Sequence, residues 1–288
     1  MSGAVQTGWA PSAGPAAPAP ARPWRRWLLA ATAAWAVLLA VLTWTSVRDD
    51  PPTVREQRTL DQAGPVVDRA IGELVRAAGA TSLLELGPAR VAEGCRVTPF
   101  ADGARLRRDV GVLAPTGTER TVLTGIAERL PTSWRARVGS ELNGPTLYAD
   151  AGEFVAVEGR PTVDGQVRLV VDTGCRPTGS GYTPATATAT GPEAAALTVA
   201  LGALGRPSDA TPERITAPCP GGGSAQTVRS AGGPGPAAST AALAALAGDA
   251  PLLDEPPVYA YRSGPVTVLA ELGPDDAVRV AATVGCPG

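Results

Sequence analysis

The chain has 288 residues, room for two domains of ordinary size, and its 34 glycines and 29 prolines stay below the level that marks a low-complexity chain. All 25 basic residues are arginine, and neither lysine nor histidine occurs. That double absence excludes Ser-His-Asp and Cys-His catalysis, imidazole zinc sites, the P-loop lysine, Schiff bases and Ser-x-x-Lys pairs, while aromatics at 4% leave any core to Ala, Val and Leu.

Residues 1–26, rich in Ala, Pro and Gly and without apolar periodicity, predict a disordered tail. From Trp27 to Val47 run 21 residues without a charge. At about 1.5 Å per residue a helix of that length spans roughly 31 Å, the thickness of a bilayer's hydrocarbon core. The run exceeds a signal-peptide core of about 7–15 residues and ends in a poor cleavage site, so the reading is an uncleaved transmembrane helix over 27–47. Arg22, Arg25 and Arg26 precede it and Asp49 and Asp50 follow. The positive-inside rule then places the tail in the cytoplasm and the C-terminal bulk outside, and Trp24, Trp27 and Trp44 fit interfacial belts. The expected location is the cell membrane, crossed once.

The remainder holds 21 arginines against 27 acids, and all four cysteines: Cys95, Cys175, Cys219 and Cys286. An even count in an exported region predicts two disulfides, and no Cys-x-x-Cys spacing suggests zinc or redox chemistry. An uncharged Thr/Ala/Gly/Pro stretch at 177–192 reads as an extended linker. It divides the region into lobe one, 53–176, and lobe two, 193–288. Their endings match: Val167-Arg168 leads to Gly174-Cys175, and Val278-Arg279 leads to Gly285-Cys286. The lobes therefore read as a duplication. Of the three pairings that four cysteines allow, copies would each close on themselves, Cys95 with Cys175 and Cys219 with Cys286.

Within lobe one, Thr53 to Glu56 reads as a capping box and Gly64-Pro65 as a break before a new helix. Leu60, Val67, Ile71, Leu74 and Ala78 then form an amphipathic stripe that suits a domain core. Strands are predicted at 90–97 and 105–113, a helix at 119–130, and a strand over Trp134–Val138. Asp164-Gly165 reads as a hairpin turn between strands at 154–159 and 167–171. Lobe two is predicted to have helices at 193–204 and 240–247 and strands at 258–262, 266–272 and 277–284. The fold class is α+β, each lobe an antiparallel sheet with helices on one face.

Chemistry-bearing motifs are sparse. Ser180 lies between two linker glycines rather than on a nucleophile elbow, and Gly221-Gly222-Gly223-Ser224 reads as a mobile loop. Carboxylate pairs such as Asp102 with Asp109, or Asp254 with Glu255, lack an aromatic sugar platform. No calcium loop occurs. Arg105 and Arg107 share one strand face, and Arg135 and Arg137 share another; were those strands neighbours, four guanidinium forks would form an anion-binding face. The expectation is a non-catalytic binding or scaffolding module of the cell envelope, with no catalytic residue, cofactor or metal. Its partners would be the membrane and an envelope protein or anionic polymer, not nucleic acid. The alternative is a cell-wall hydrolase running on Asp and Glu alone.

Overall fold

The computed structural model describes residues 24–49, 58–142, 144–162, 165–184, 191–207, 211–233, 238–248, 251–255, 257–273 and 277–287. Residues 1–23 of the tail expected over 1–26, the capping box at 53–56 and Asp164 lie outside them; residues 24–26 of that tail belong to a helix. The chain forms two units, 1–56 and 57–288. In the first, helix α1 (Trp24–Asp49) contains a stretch, Arg26–Trp44, long and apolar enough to cross a membrane. Its threonines satisfy their own hydroxyls: Thr32 and Thr43 donate to the carbonyls of Leu28 and Leu39 at 2.8 Å.

The second unit is α+β and contains two antiparallel sheets. It opens with α2 (Leu60–Ala78), whose Gln62 side chain accepts from the Thr59 N–H at 3.3 Å. The helix continues through Gly64-Pro65, where the sequence suggested a break or kink, without the one i→i−4 bond that Pro65 has no N–H to make.

Sheet A contains β1 (Leu83–Leu86), β2 (Arg90–Thr98), β3 (Ala101–Leu113), β4 (Arg137–Glu141), β5 (Gly144–Asp150), β6 (Ala156–Pro161) and β7 (Gln166–Arg176). Helix α3 (Glu119–Arg129) and a 3-10 turn at Thr132–Trp134 separate β3 from β4. Strands β1 and β2 share one edge of β3, broken by Gly87-Pro88, and the order continues β3-β7-β6-β5-β4. Sheet B contains β8 (Glu213–Pro218), β9 (Ser224–Ala231), β10 (Leu253–Glu255), β11 (Val258–Ser263), β12 (Val266–Leu272) and β13 (Val278–Val284), in the order β8-β9-β13-β12-β11-β10. Helix α4 (Pro192–Ala203) precedes it, and a 3-10 turn with α5 (Ala244–Ala247) separates β9 from β10. Both halves thus run helix, hairpin, helix and four-stranded meander, the last strand returning to the hairpin's second strand. Cys95 is bonded to Cys175 and Cys219 to Cys286.

Helix α2 is the centre of the unit. Ile71 and Leu74 are buried with Leu106, Val110 and Leu169 of sheet A and with Ile215 and Ala217 of β8, in one cluster. Two glycines let this happen: a Cβ on Gly72 would collide with the Pro218 carbonyl, and one on Gly64 with the Tyr182 ring. The other face of sheet B packs Val228, Tyr261, Val268 and Val280 against Leu197 and Leu201 of α4. A third cluster sets Leu83 and Leu113 on Val258, Ala260 and Leu269.

A buried ion pair crosses the same junction. Arg108, 4% exposed, donates to Asp68 of α2 at 2.5 Å and to the Thr216 carbonyl of β8 at 2.8 Å, and the Tyr182 hydroxyl donates to Asp68 at 2.8 Å. Burial pushes the Tyr182 phenol well above its ordinary pKa. The described part of the expected linker is therefore seated on α2, with Pro177 accepting from the Leu60 N–H at 2.9 Å. Residues 185–190 of that linker lie outside the described residues.

Two sequence readings need correction. Trp134 and Arg135 are not in a strand: Trp134 closes a 3-10 turn, Arg135 is left-handed at φ 48°, and the strand begins at Arg137. Gly221, Gly222 and Gly223 form the turn of the β8–β9 hairpin, all at positive φ (92°, 110° and 76°), with the Cys219 N–H donating to the Gly223 carbonyl at 3.0 Å. Only glycine takes three such conformations in a row without strain.

Candidate functional site

Strand β3 alternates strictly. Leu106, Arg108 and Val110 face α2, and Arg105, Arg107 and Asp109 face away. Pairing with β7 sets Arg107 opposite Asp172 and Gly111 opposite Arg168; pairing of β7 with β6 sets Arg168 opposite Arg160. The result is a concavity of about 510 Å³ on the helix-free face of sheet A, in which Arg105, Arg107, Arg160 and Arg168 surround two carboxylates, Glu158 and Asp172.

Asp172 is the anchor. It accepts from Arg105 Nε at 2.7 Å, Arg107 Nε at 2.5 Å and the Gly174 N–H at 2.8 Å. Burial alone would raise its pKa, but the two guanidinium groups and the amide outweigh that and hold the carboxyl below its ordinary value. The Asp172 hydrogen bond in turn raises the Arg105 pKa. A carboxylate so engaged is a weak general base and no general acid at neutral pH. Asp109 is held more loosely, 3.7 Å from Arg90 and 4.0 Å from Arg168, and Arg160 pairs with Glu158 and, at 3.9 Å, with Glu141.

The rim is built on a constrained turn. Glu153 and Phe154 both adopt left-handed backbone (φ 53° and 58°), a costly conformation for side-chain-bearing residues. Arg176 holds the turn from beneath. It is completely buried, and donates to the carbonyls of Thr173 at 2.9 Å, Arg58 at 3.3 Å and Glu153. Burial pulls its pKa down. The turn presents Phe154, 40% exposed, to the concavity.

Of the four arginines expected to form one face, the structure joins two. Arg105 and Arg107 meet at Asp172, but β4 is not next to β3. Arg137 lies beyond β7, β6 and β5, about 19 Å away at the usual strand spacing, with its guanidinium over the Tyr148 ring, 5.6 Å from the centroid. Arg135 leaves the sheet in the turn described above. Their places are taken by Arg160 and Arg168. The Val167-Arg168-Leu169 alternation is the local signal that could have put Arg168 on an exposed face; the pairing of β7 with β3, across some 60 residues of sequence, has no local signal. Of the acids singled out, Asp102 pairs with Arg96 at 3.2 Å, and Ser180 donates to Asp61 at 3.0 Å. No group of three metal-ligating side chains occurs among the described residues.

The corresponding face of sheet B is partly covered. Helix α2 and strand β1 pack on it, and Glu85 of β1 accepts from Arg279 and lies 3.4 Å from Arg229. Arg279 also donates to Glu271 at 3.1 Å and Arg229 to Glu213 at 2.8 Å. Burial lowers the Arg279 pKa, but Glu85 and Glu271 outweigh it and the net shift is upward. The neighbouring concavity, about 580 Å³, is lined by the arginines and two of these acids. Two arginines and two carboxylates line this concavity, and Glu85 adds a third acid from its margin.

Compared with models of protein families, with curated proteins and with solved structures, the chain matches none.

Proposed function

We propose that the chain is a single-pass membrane protein whose N-terminus is cytoplasmic and whose unit 57–288 lies outside, where it acts as a non-catalytic binding or scaffolding module of the cell envelope. The observation that carries this reading is the concavity on sheet A, whose lining holds four arginines and two carboxylates, with Asp109 and Glu141 more loosely paired at its margin. Guanidinium forks bind carboxylates and phosphates bidentately, and the Asp172 anchor preorganises two of them. Helix α1 supports the anchor. Two disulfides with no free cysteine support an oxidising compartment.

The two halves are read as descendants of one unit. Their common strand order apart from β1, the matching Val-Arg…Gly-Cys endings and disulfides that join the hairpin's first strand to the last strand in one half, and the residues just after those two strands in the other, support this.

Two experiments test the proposal. Reporters active in one compartment only, fused to the C-terminus, should work outside; cytoplasmic activity overturns the topology. Full-length protein in detergent should be retained on isolated envelopes, less so as salt rises, because exposed charges are screened over about 8 Å at physiological ionic strength. Changing Arg105, Arg107, Arg160 and Arg168 to Ser should abolish retention. Salt-insensitive retention by that variant removes the arginine face, and hydrolysis of wall polymer replaces the binding reading with an enzyme.

A further inference from the structure

Resting on the reading of the open face of sheet A as anion-binding, we propose that its ligand is a protein segment: an extended stretch that carries a Glu or Asp between apolar residues. The second half of the molecule contains such a complex already. Arg168 and Arg279 occupy matching positions, each on the last strand of its sheet, seven residues before a disulfide cysteine, on the face turned away from α2 and α3 in sheet A and from α4 in sheet B. Arg279 is occupied by Glu85 from the segment Leu84-Glu85-Leu86, with Leu83 seated on Val258, Ala260 and Leu269. Glu85 is 12% exposed and Arg279 40%, so the carboxylate is sunk while the guanidinium keeps one side in solvent.

Among the described residues Arg168 has no comparably close partner. It is 49% exposed, and Asp109, which it shares with Arg90, stands 4.0 Å away. Two neighbouring features fit a peptide better than a bare phosphate polymer. Gly111, opposite Arg168, has no side chain, and a Cβ there would meet only the Glu85 carbonyl at 3.8 Å, so a ligand side chain has room. The exposed Phe154 ring on the rim offers an apolar contact next to the arginines, which an apolar residue beside the carboxylate would use.

The test uses the full chain in nanodiscs and the hexapeptide Ser-Leu-Leu-Glu-Leu-Gly, the sequence of residues 82–87, with its Glu-to-Gln counterpart and polyphosphate as second and third probes. Binding of the Glu peptide is expected, weakened tenfold or more by the Gln change and by Arg160→Ser with Arg168→Ser, and several-fold by Phe154→Ala. Arg120→Ser, which removes a charge elsewhere, should leave it unchanged. All these side chains are at least partly exposed, so thermal unfolding of each variant should match the parent and serves as the folding control. Absence of peptide binding, or equal binding of the Gln peptide, overturns the proposal. If polyphosphate binds through Arg160 and Arg168 while the peptide does not, the peptide proposal fails and the anion-binding surface stands; if neither probe binds, both fail.

Discussion

Apart from β1, the two sheets have one strand order but different fates. Sheet B has α4 and α5 on one side and, over part of the other, α2 and β1, and its outward arginines are matched by Glu85, Glu213 and Glu271. Sheet A has α2 and α3 on one face; on the other, β1 and the end of β3 pack on sheet B, and the rest is a concavity lined by four arginines and two carboxylates. Both sheets thus carry a charged concavity, but in sheet B its arginines are engaged by Glu85 of β1. What differs is whether a neighbouring segment of the chain supplies the carboxylate.

The contrast can be broken or sharpened in order of expected effect. Removing either disulfide should cost roughly 4 kcal/mol in the chain-entropy model, since the bonded cysteines are 80 and 67 residues apart and loop length enters only as a logarithm. Cys219 is also part of the core beneath α2, whereas Cys95 is half-exposed. Chemical denaturation should therefore find the Cys219→Ser/Cys286→Ser pair the less stable of the two double variants; equal losses would mean that burial adds nothing.

Gly72→Ala should cost about 1–3 kcal/mol, because its methyl meets the rigid Pro218 carbonyl and α2 must separate from β8. Gly111→Ala, on the open face, should be neutral or slightly stabilising, since nothing crowds it and Ala loses less backbone entropy. A thermal melt of each variant makes the comparison.

Asp172→Asn should cost roughly 1–2 kcal/mol at pH 7, as two charge-assisted bonds to half-exposed arginines are lost. The sign of its pH dependence is fixed. The native carboxyl titrates below its unfolded value of about 3.9, so its stabilisation is complete above that pH and disappears as pH falls through the native pKa. Denaturation curves of the native chain and the Asn variant should accordingly converge below about pH 4; a gap that persists unchanged contradicts the assignment. The smallest effect is expected at Arg168→Ser, within about 0.5 kcal/mol of the parent by the same curves, because its ion pair is long and exposed.

How much of this was legible follows from where the information lies. Local periodicity located α3, β2, β12 and β13 to within a residue or two, because their apolar spacing is regular and bounded by turn residues. It missed β5 and β8 with β9, where Thr, Gly and Gln dilute the alternation, and it misread Trp134, whose burial comes from a 3-10 turn rather than a strand face. The glycine-rich 221–223 run resembles a loose loop in composition, yet it is a constrained hairpin because β8 and β9 pair on either side of it. For the site, Arg105 and Arg107 were readable from one strand. Arg160 and Arg168 join them only through the β3–β7 and β7–β6 pairings, and strand order is a tertiary property that no single segment encodes.

The most direct test of the central contrast is arginine footprinting. Phenylglyoxal modification, read by peptide mass spectrometry, would be compared between intact cells and purified full-length protein in detergent. If sheet A is the binding face, Arg105, Arg107, Arg160 and Arg168 should be modified in the purified chain and protected several-fold on cells, while exposed Arg120 should react equally in both. Equal modification of the four arginines in the two settings would contradict the account.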